Sequence, residues 1–504
     1  MGLSWRYIFA VLGAIGMAII YGQKVNLSIA INAMVNKTAL MEIDSASHGD
    51  DEHEVEFNPD EMCYVPGGIQ QYSISLSLSY NMYNRLGHLY LHKVDGPFLW
   101  TEQNKGLILG SYFWGYLVTQ IPGGRIAELF SGKWVFLVAV LMSSLPTVLT
   151  PPAAYLGGFK LVIFMRIIEG FGGGLTFPAM NVLISKWAPS SEKSTLASII
   201  YGVFFLCRNV IREQYCLYLL AGLALIWCVV WMIFVTDTPE THKFISESEK
   251  EFITSSHPPA KKGKKLTVPW KNIFTSVPFW GIIIAHFCNN FAWYMLLVEL
   301  PVFMSDGLGF AIKENAGLSS VPFICNWLFS IVYSNRLDWA RSKGYISTTN
   351  ARKLSMGIAS LIPSLCLIAV CLSGCNKTAV VTFMIVGTGF FGSMFAGVFS
   401  NHSDIASNYA GVLMGITNMI ATIPGFVVPA VVGSLTHGTF GLAPWHLIFY
   451  TTSGILLLEL GCMITPTMKL WDFKLWKCFC NSLPINNIMI LILMTVCKEI
   501  TGMN

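Results

Sequence analysis

Residues 105–124 read KGLILGSYFWGYLVTQIPGG, a run of twenty in which Lys105 is the only charged residue. An α-helix rises about 1.5 Å per residue, so a run of this length reaches about 30 Å, the thickness of the hydrocarbon core of a bilayer. The stretch therefore predicts a membrane-spanning helix. The fold then depends on how many stretches of this kind the chain contains.

Twelve candidate spans occur along the 504 residues of the chain. They cover 7–34, 105–124, 134–155, 160–187, 195–207, 215–235, 278–301, 317–335, 355–373, 379–400, 410–434 and 444–466. The fifth is short, because about 13 residues give only about 20 Å of helix. The predicted fold is an all-α membrane protein with about twelve transmembrane helices, in which span 5 is shortened.

The composition excludes several classes of protein. Hydrophobic residues make up 54% of the chain and charged residues 12%, whereas a soluble domain carries about 25% charge. This rules out an ordinary soluble enzyme and a disordered chain, and it makes the lipid bilayer the expected surrounding. A net charge of +4 without a basic stripe excludes a nucleic-acid partner. The 13 cysteines form neither a disulfide framework nor a zinc spacing, and no nucleophile–base constellation is present. No enzyme activity, metal or cofactor is therefore expected.

The basic residues of the loops predict the orientation of the chain. The even-to-odd loops are basic, above all loop 6–7 with six lysines between Lys250 and Lys271, and this excess is typical of cytosolic loops. Both termini are then predicted to be cytosolic. Loop 1–2 is acidic and carries a glycosylation sequon at Asn36, while a second sequon at Asn376 falls in loop 9–10 on the same outer side. Glycosylation is expected at both asparagines.

The spans divide into two halves. We predict an N-terminal six-helix half at 1–236 with an outer loop at 35–104, a cytosolic linker at 237–277, a C-terminal six-helix half at 278–466 and a tail at 467–504. The apolar segment 484–497 of the tail is too short to cross a bilayer. Two halves around a central cavity are the usual plan of a secondary transporter. A channel is the competing class, but no filter-like loop lies between the spans.

Three long motifs make the chain resemble a known family. They are LGSYFWGYLVTQIPGG at 109–124, KWAP at 186–189 and YAGVLMGITNMIATIPG at 409–425, with weaker matches at 25–28 and 401–406. Over about residues 7–466 the chain resembles the anion and phosphate cotransporter family of the major facilitator superfamily, and it looks most like the sialin-like members and the insect-type inorganic phosphate cotransporters. The resemblance implies two pseudo-symmetric six-helix bundles and an alternating-access carrier of organic or inorganic anions.

Ionisable residues inside a span are candidates for function, because a charge buried in a membrane is costly. Arg166 and Glu169 lie three residues apart in span 4 and so share a helix face. They are either a neutralising structural pair or a functional one, in which Arg166 binds a carboxylate or phosphate and Glu169 takes up a proton. Sialin-like members carry a second Glu one turn further, where this chain has Gly173. Proton coupling would then rest on a single carboxyl.

Other candidate residues lie in spans 1, 2, 7 and 10. Lys24 stands where the family pattern has an Arg, and it either attracts the substrate anion or extends toward an interface. Tyr112, Asn289 and Tyr294 are expected to offer hydrogen bonds to a substrate, against the alternative that they only hold helices together. His402 is a candidate for proton coupling because histidine titrates near physiological pH; the alternative is a polar patch at a helix end.

The loops at the predicted cytosolic end carry candidate gating residues. Asp338 and Arg341 match the loop 8–9 signature of the family, in which charges fasten helix ends together in one conformation. In loop 2–3, Glu128 and Leu129 stand where small and basic residues are usual in the family. We therefore expect weakened fastening at this end.

Two functions remain open from the sequence. The first is a secondary active transporter of small anions, either sialic acid-like carboxylates or phosphate, coupled to a proton or a sodium ion and located in the plasma membrane or a lysosomal or vesicular membrane. The second is a degenerate, non-transporting membrane protein that retains the fold. The short span 5 and Gly173 favour the second function, whereas the Arg166–Glu169 pair and the span-11 motif favour the first.

Overall fold

A computed structural model of the chain describes residues 4–36, 96–202, 215–256, 267–310, 317–436 and 442–464. Within these ranges the regular structure is helical, and extended pairing is limited to one isolated bridge between Val35 and Phe98. The apolar composition explains this choice, because a helix satisfies its backbone hydrogen bonds internally and can therefore lie in lipid. The predicted all-α membrane fold is confirmed.

The first half is built of five helical elements in the described residues. They are α1 (Trp5–Met34), α2 (Glu102–Leu129), α3 (Gly132–Trp187), α4 (Lys193–Gly202) and α5 (Tyr215–Phe234).

The 56 residues of α3 form two spans rather than one. A single helix of this length would measure about 84 Å, far more than a bilayer. Gly158 breaks it with φ 57° and ψ −153°, a left-handed conformation that glycine adopts without steric cost. The arms 132–157 and 159–187 fold back on each other, and the Ser143 hydroxyl donates to the Glu169 carbonyl at 3.3 Å. These arms are the predicted spans 3 and 4.

The remaining α-helices of five or more residues begin in the predicted linker. They are α6 (Glu247–Ser255), α7 (Trp270–Phe274), α8 (Val277–Tyr294), α9 (Val321–Ser342), α10 (Thr348–Leu372), α11 (Lys377–Phe391), α12 (Ser400–Ile405), α13 (Ala410–Ala421), α14 (Pro424–Thr436) and α15 (Ala443–Ile464). A π-helical turn, Phe395–Phe399, precedes α12, and two more, Met295–Glu299 and Phe303–Gly307, extend α8. Turns of this kind are frequent at functional sites.

Six helical stretches in the described ranges are long and apolar enough to cross a membrane. One of them is α3, which supplies two arms. The predicted span 5 corresponds to α4, whose ten residues rise about 15 Å. Residues 203–214 lie outside the described residues, as do most of loop 1–2 and the tail from 465. The shortening of span 5 and the short apolar tail segment therefore stay predictions.

The two halves join at the predicted cytosolic end. Gly124 of α2 packs so closely on Gly411 of α13 that a Cβ at position 124 would collide with the Gly411 carbonyl. On the other side of the bundle, the Ser198 hydroxyl of α4 lies 2.6 Å from the Ser334 hydroxyl of α9. These contacts close the floor of the space between the halves, and the candidate site lies above that floor.

Candidate functional site

Arg166 and Glu169 form the buried ion pair that their spacing predicted. Both lie on the second arm of α3 and are only 2% exposed, and Arg166 Nη1 donates to Glu169 Oε2 at 2.8 Å. Arg166 Nη2 also donates to the Lys24 carbonyl of α1 at 3.1 Å. Arg166 Nε and Glu169 Oε1 find no partner among the described residues. Each side chain therefore keeps the capacity for one more hydrogen bond.

Lys24 lies inside a group of aromatic rings. Its Nζ is 4.8–5.8 Å from the ring centroids of Tyr21, Tyr112, Phe113, Tyr116 and Tyr294. It also donates to the Tyr294 hydroxyl of α8 at 3.3 Å, which joins the two halves. In the described part of the chain no carboxylate pairs with it. Ring faces attract a cation but carry no net charge, so these rings favour the protonated amine without neutralising it.

Tyr112 lies between the two cationic groups, and its position explains why residue 173 is a glycine. Its ring centroid is 5.0 Å from Arg166 Cζ and 5.5 Å from Lys24 Nζ. A Cβ built at Gly173 would collide with the Tyr112 hydroxyl. In this chain the tyrosine hydroxyl thus occupies the space that a side chain at position 173 would need.

A cavity between the halves contains several of these groups. Its walls are formed by Met17, Ile20, Tyr21, Lys24, Tyr112, Tyr116, Gly173, Thr176, Phe177, Asn290, Trp293, Tyr294, Met394, Phe395, Phe399 and Asn418. Lys24, Tyr112 and Tyr294 therefore lie at the cavity, and their role in substrate binding stays a prediction. Arg166 and Glu169 are not part of the wall and lie behind Tyr112.

The structure places Asn289 away from this cavity. Its Nδ2 donates to Glu459 Oε1 of α15 at 2.6 Å and to the Ala285 carbonyl at 2.9 Å. The adjacent Asn290 forms part of the wall instead. One residue of helix turns the side chain by about 100°, so neighbouring asparagines face different partners.

His402 is completely buried and lies outside the cavity wall. Its Nε2 is 2.7 Å from the Thr417 hydroxyl, and His286 Nδ1 is 3.1 Å from that same hydroxyl. Phe399, a wall residue, packs edge-on against His286. The two histidines thus form a small polar cluster behind Phe399, and the proton-coupling role of His402 stays a prediction.

The predicted gating residues fasten the two halves together. Asp338 of α9 accepts bonds from the Thr195 backbone N–H at 2.8 Å and from its hydroxyl at 3.0 Å. Arg341 Nη1 holds the other carboxyl oxygen of Asp338 at 3.0 Å. In the equivalent loop, Glu128 accepts from the Val412 backbone N–H at 2.8 Å. This end of the molecule is fastened despite the departures from the family pattern, because Glu128 itself forms a hydrogen bond between the halves.

A second ion-pair group reinforces the same end. Asp404, after the predicted span 10, pairs with Lys193 of α4 at 2.9 Å and with Arg352 of α10 at 2.7 Å. Arg352 also donates to the Ser194 hydroxyl at 2.7 Å. These charged residues are visible in the sequence, but their spacing along the chain does not predict which of them pair.

Two features of the site were missed from the sequence. Asn418 donates to the Tyr116 hydroxyl at 2.9 Å and joins the halves at the cavity; it was visible only as part of the span-11 motif. Glu459 is completely buried in α15. The signal for Glu459 was available, because an ionisable residue inside a span is a candidate for function by default.

The two predicted glycosylation sites lie at helix ends. Asn36 follows α1, and its backbone N–H donates to the Phe98 carbonyl at 2.8 Å. Asn376 is exposed and caps α11, where its side-chain oxygen accepts from the Ala379 N–H at 3.1 Å. Glycosylation of both stays a prediction.

Comparison with known proteins identifies the family. The sequence profile of the Major Facilitator Superfamily matches residues 62–208 and 214–429. Human sialin is 35% identical over 464 residues, which cover 90% of this chain and 87% of sialin. Vesicular glutamate transporter 1 of Bos taurus is 31% identical over 468 residues, which cover 90% of this chain and 75% of that protein.

A solved structure shows the same fold. The human organic anion transporter MFSD10 aligns with a TM-score of 0.58 at 12% identity, covering 91% of this chain and 99% of that one. The alternative of a degenerate, non-transporting copy finds no support in these comparisons. The chain belongs to the Major Facilitator Superfamily, within its family of anion and phosphate cotransporters, and it is a multi-pass membrane protein and not an enzyme.

Proposed function

We propose that the chain is a secondary active transporter of small anions, either sialic acid-like carboxylates or phosphate, that works by alternating access and couples transport to a proton or a sodium ion. The observation that carries the proposal is the charge at the centre of the molecule. When Lys24 is protonated, Lys24 and Arg166 supply two positive charges and Glu169 one negative charge, which leaves one positive charge in excess. A bound anion balances this charge, and a buried unbalanced charge is costly.

The neighbouring side chains suit an anion chemically. The Tyr112 and Tyr294 hydroxyls border the cavity beside Lys24 and offer donors to carboxylate or phosphate oxygens. Arg166 retains an unpartnered Nε behind Tyr112, and its planar fork matches both anions. The printed name of MFSD10, an organic anion transporter, supports the same class of substrate.

The Arg166–Glu169 pair supplies a route to coupling. Arg166 lies behind Tyr112, so in this proposal the anion passes Tyr112 to reach the guanidinium, for which the anion and the Glu169 carboxylate are then both ligands. When the anion engages Arg166, Glu169 loses part of its counter-charge and gains affinity for a cation. Binding of the anion and binding of the coupling ion then favour each other, which is the thermodynamic requirement for symport.

The closed end suits a gate on the cytosolic side. The bonds from Thr195 to Asp338, supported by Arg341, exist only while α4 and α9 touch. Their loss would accompany opening of the cavity toward that side. In this proposal both termini are cytosolic, and the membrane is the plasma membrane or a lysosomal or vesicular one. Cys375, beside the sequon at Asn376, is disulfide-bonded, which supports an oxidising, non-cytosolic location for loop 9–10.

The test is uptake of labelled anions by proteoliposomes that contain the full chain. Labelled sialic acid and labelled phosphate are offered under an inward proton gradient and then under a sodium gradient. Lys24→Met removes the charge but keeps the aliphatic stem, and we expect it to lower uptake at least about tenfold, since one lost interaction of 1.4 kcal/mol has this effect. Arg166→Ala and Glu169→Gln test the pair in the same way.

Lys160→Gln is the matched control, because Lys160 is an exposed lysine on the arm that carries Arg166. It should transport like the unmodified chain. Absence of uptake of either anion by well-folded protein would refute the proposal. Uptake by Lys24→Met equal to that of the unmodified chain would show that the charge of Lys24 is not needed for transport. The gradient that drives accumulation identifies the coupling ion.

A further inference from the structure

A second acidic site lies in the C-terminal half, away from the Arg166–Glu169 pair. Glu459 of α15 is completely buried, and its Oε1 accepts from Asn289 Nδ2 of α8 at 2.6 Å. Ser360 of α10 also faces the carboxyl. Asn289 and Ser360 each lie twelve residues beyond the first residue of their helix, which places them about 18 Å along it. The cluster is therefore deep within the bundle.

No cation balances Glu459 within the described residues. On α8, His286 faces Thr417 instead. On α10, Arg352 is engaged by Asp404, and Lys353 is exposed. The other titratable side chains on these two helices are the phenol of Tyr294, which lies at the central cavity, and thiols. α14 packs against α15 as well, and its sequence contains no titratable residue.

The unpartnered atoms of the cluster are all acceptors. Glu459 Oε2 and Asn289 Oδ1 are buried and have no hydrogen-bond partner among the described residues. The Ser360 hydroxyl donates to the Met356 carbonyl at 2.9 Å, so its hydrogen is already used. What the cluster lacks is a donor hydrogen. One proton on the carboxyl supplies that hydrogen and removes the uncompensated negative charge.

The contrast with Glu169 decides which carboxyl needs the proton. Arg166 neutralises Glu169 directly at 2.8 Å, whereas the polar groups that face Glu459 are a neutral amide and a hydroxyl. An isolated carboxylate is far more costly to bury than a paired one. We propose that Glu459 and Asn289 form a proton-binding site in the C-terminal half, and that Glu459, not Glu169, carries the proton in this conformation. Its part in coupling rests on the proposed transport function; its protonation does not.

Infrared spectroscopy of the purified full-length chain tests the protonation directly. At neutral pH we expect a protonated-carboxyl C=O band that Glu459→Gln removes. Glu169→Gln and Glu240→Gln should retain the band, the latter because Glu240 is exposed. Asn289→Ala should shift the frequency of the band, because it deletes the bond to the carboxyl. This second variant keeps the test decisive if Glu459→Gln does not fold.

Three results would overturn the assignment of the proton. A band that persists in Glu459→Gln, or that disappears in Glu169→Gln, would place the proton elsewhere. A band that sodium chloride abolishes, while potassium chloride does not, would show that the site takes a sodium ion instead. An unchanged frequency in Asn289→Ala would show that the amide does not hold the protonated group.

Transport measurements then test the coupling role. Glu459→Gln should still exchange labelled anion for unlabelled anion across the membrane without a gradient. It should lose at least about tenfold of the accumulation that a proton gradient drives. Undiminished accumulation would refute the coupling role. If the unmodified chain carries no anion, the proposed function fails, and the infrared result still decides whether Glu459 is protonated.

Discussion

The Thr195 hydroxyl offers a direct measure of how strongly the two halves are joined. It donates to Asp338 Oδ2 at 3.0 Å, and both side chains are buried. Thr195→Val deletes this bond with little change of shape and leaves the backbone bond from the same residue in place. A hydrogen bond to a charged group contributes about 1.5–3 kcal/mol. Because the bond exists only while the halves touch, the whole loss acts on the equilibrium between the closed and open states.

The expected result is a large shift of that equilibrium. Since each 1.4 kcal/mol corresponds to a factor of ten, the open population should rise about ten- to hundredfold. A reporter cysteine in place of Ser198 can measure this rise, because Ser198 is completely buried and its hydroxyl meets Ser334 across the join at 2.6 Å. The rate of maleimide labelling at position 198, followed by mass spectrometry of that peptide, should increase by the same factor.

Thr254→Val is the matched control for this measurement. The Thr254 hydroxyl donates to the Lys250 carbonyl within α6 at 2.9 Å and does not touch the other half. Labelling at position 198 should not change in this variant. A rise of less than about twofold in Thr195→Val, or an equal rise in the control, would show that the bond does not favour closure.

Three further predictions concern packing at the centre and at the join. Gly173→Glu should lower the melting temperature by several degrees because the new side chain meets the Tyr112 hydroxyl; a companion Tyr112→Ala substitution should restore part of the loss, and absence of rescue would contradict the clash. Gly124→Ala should raise the rate of labelling at the reporter cysteine, because the new Cβ meets the Gly411 carbonyl. Gly110→Ala should leave that rate unchanged, because position 110 has open space around it. Equal labelling rates in the two variants would contradict this account. Thr417→Val should cost about 1–3 kcal/mol of stability in denaturant unfolding because it leaves buried histidine nitrogens without their partner; Thr417→Ser should be close to unchanged, and equal losses would show that the methyl group matters instead.

Gly173 shows how the structure explains a residue that differs from the family pattern. From the sequence, its meaning was the loss of a second carboxyl one turn from Glu169. In the structure the Tyr112 hydroxyl fills that space, and the Tyr112 ring lies beside Lys24. The substitution therefore changes the neighbourhood of the cationic groups as well as the number of acids.

The sequence by itself determined the membrane fold, most of its spans and the pairing of Arg166 with Glu169. These features are local, since the length of an apolar run and a spacing of three residues on a helix are written along the chain. Loop charges and sequons likewise produced predictions about orientation from local composition alone.

Tertiary structure alone decided which distant residues meet. Lys24 and Tyr294 are 270 positions apart and touch only because α1 and α8 pack with these faces toward each other. Asn289, expected at the substrate, faces Glu459 instead. Each residue turns a helix by about 100°, so the rotation of the helix about its axis decides which side chain enters the cavity. That rotation is set by packing against the neighbouring helices, which no single stretch of sequence contains.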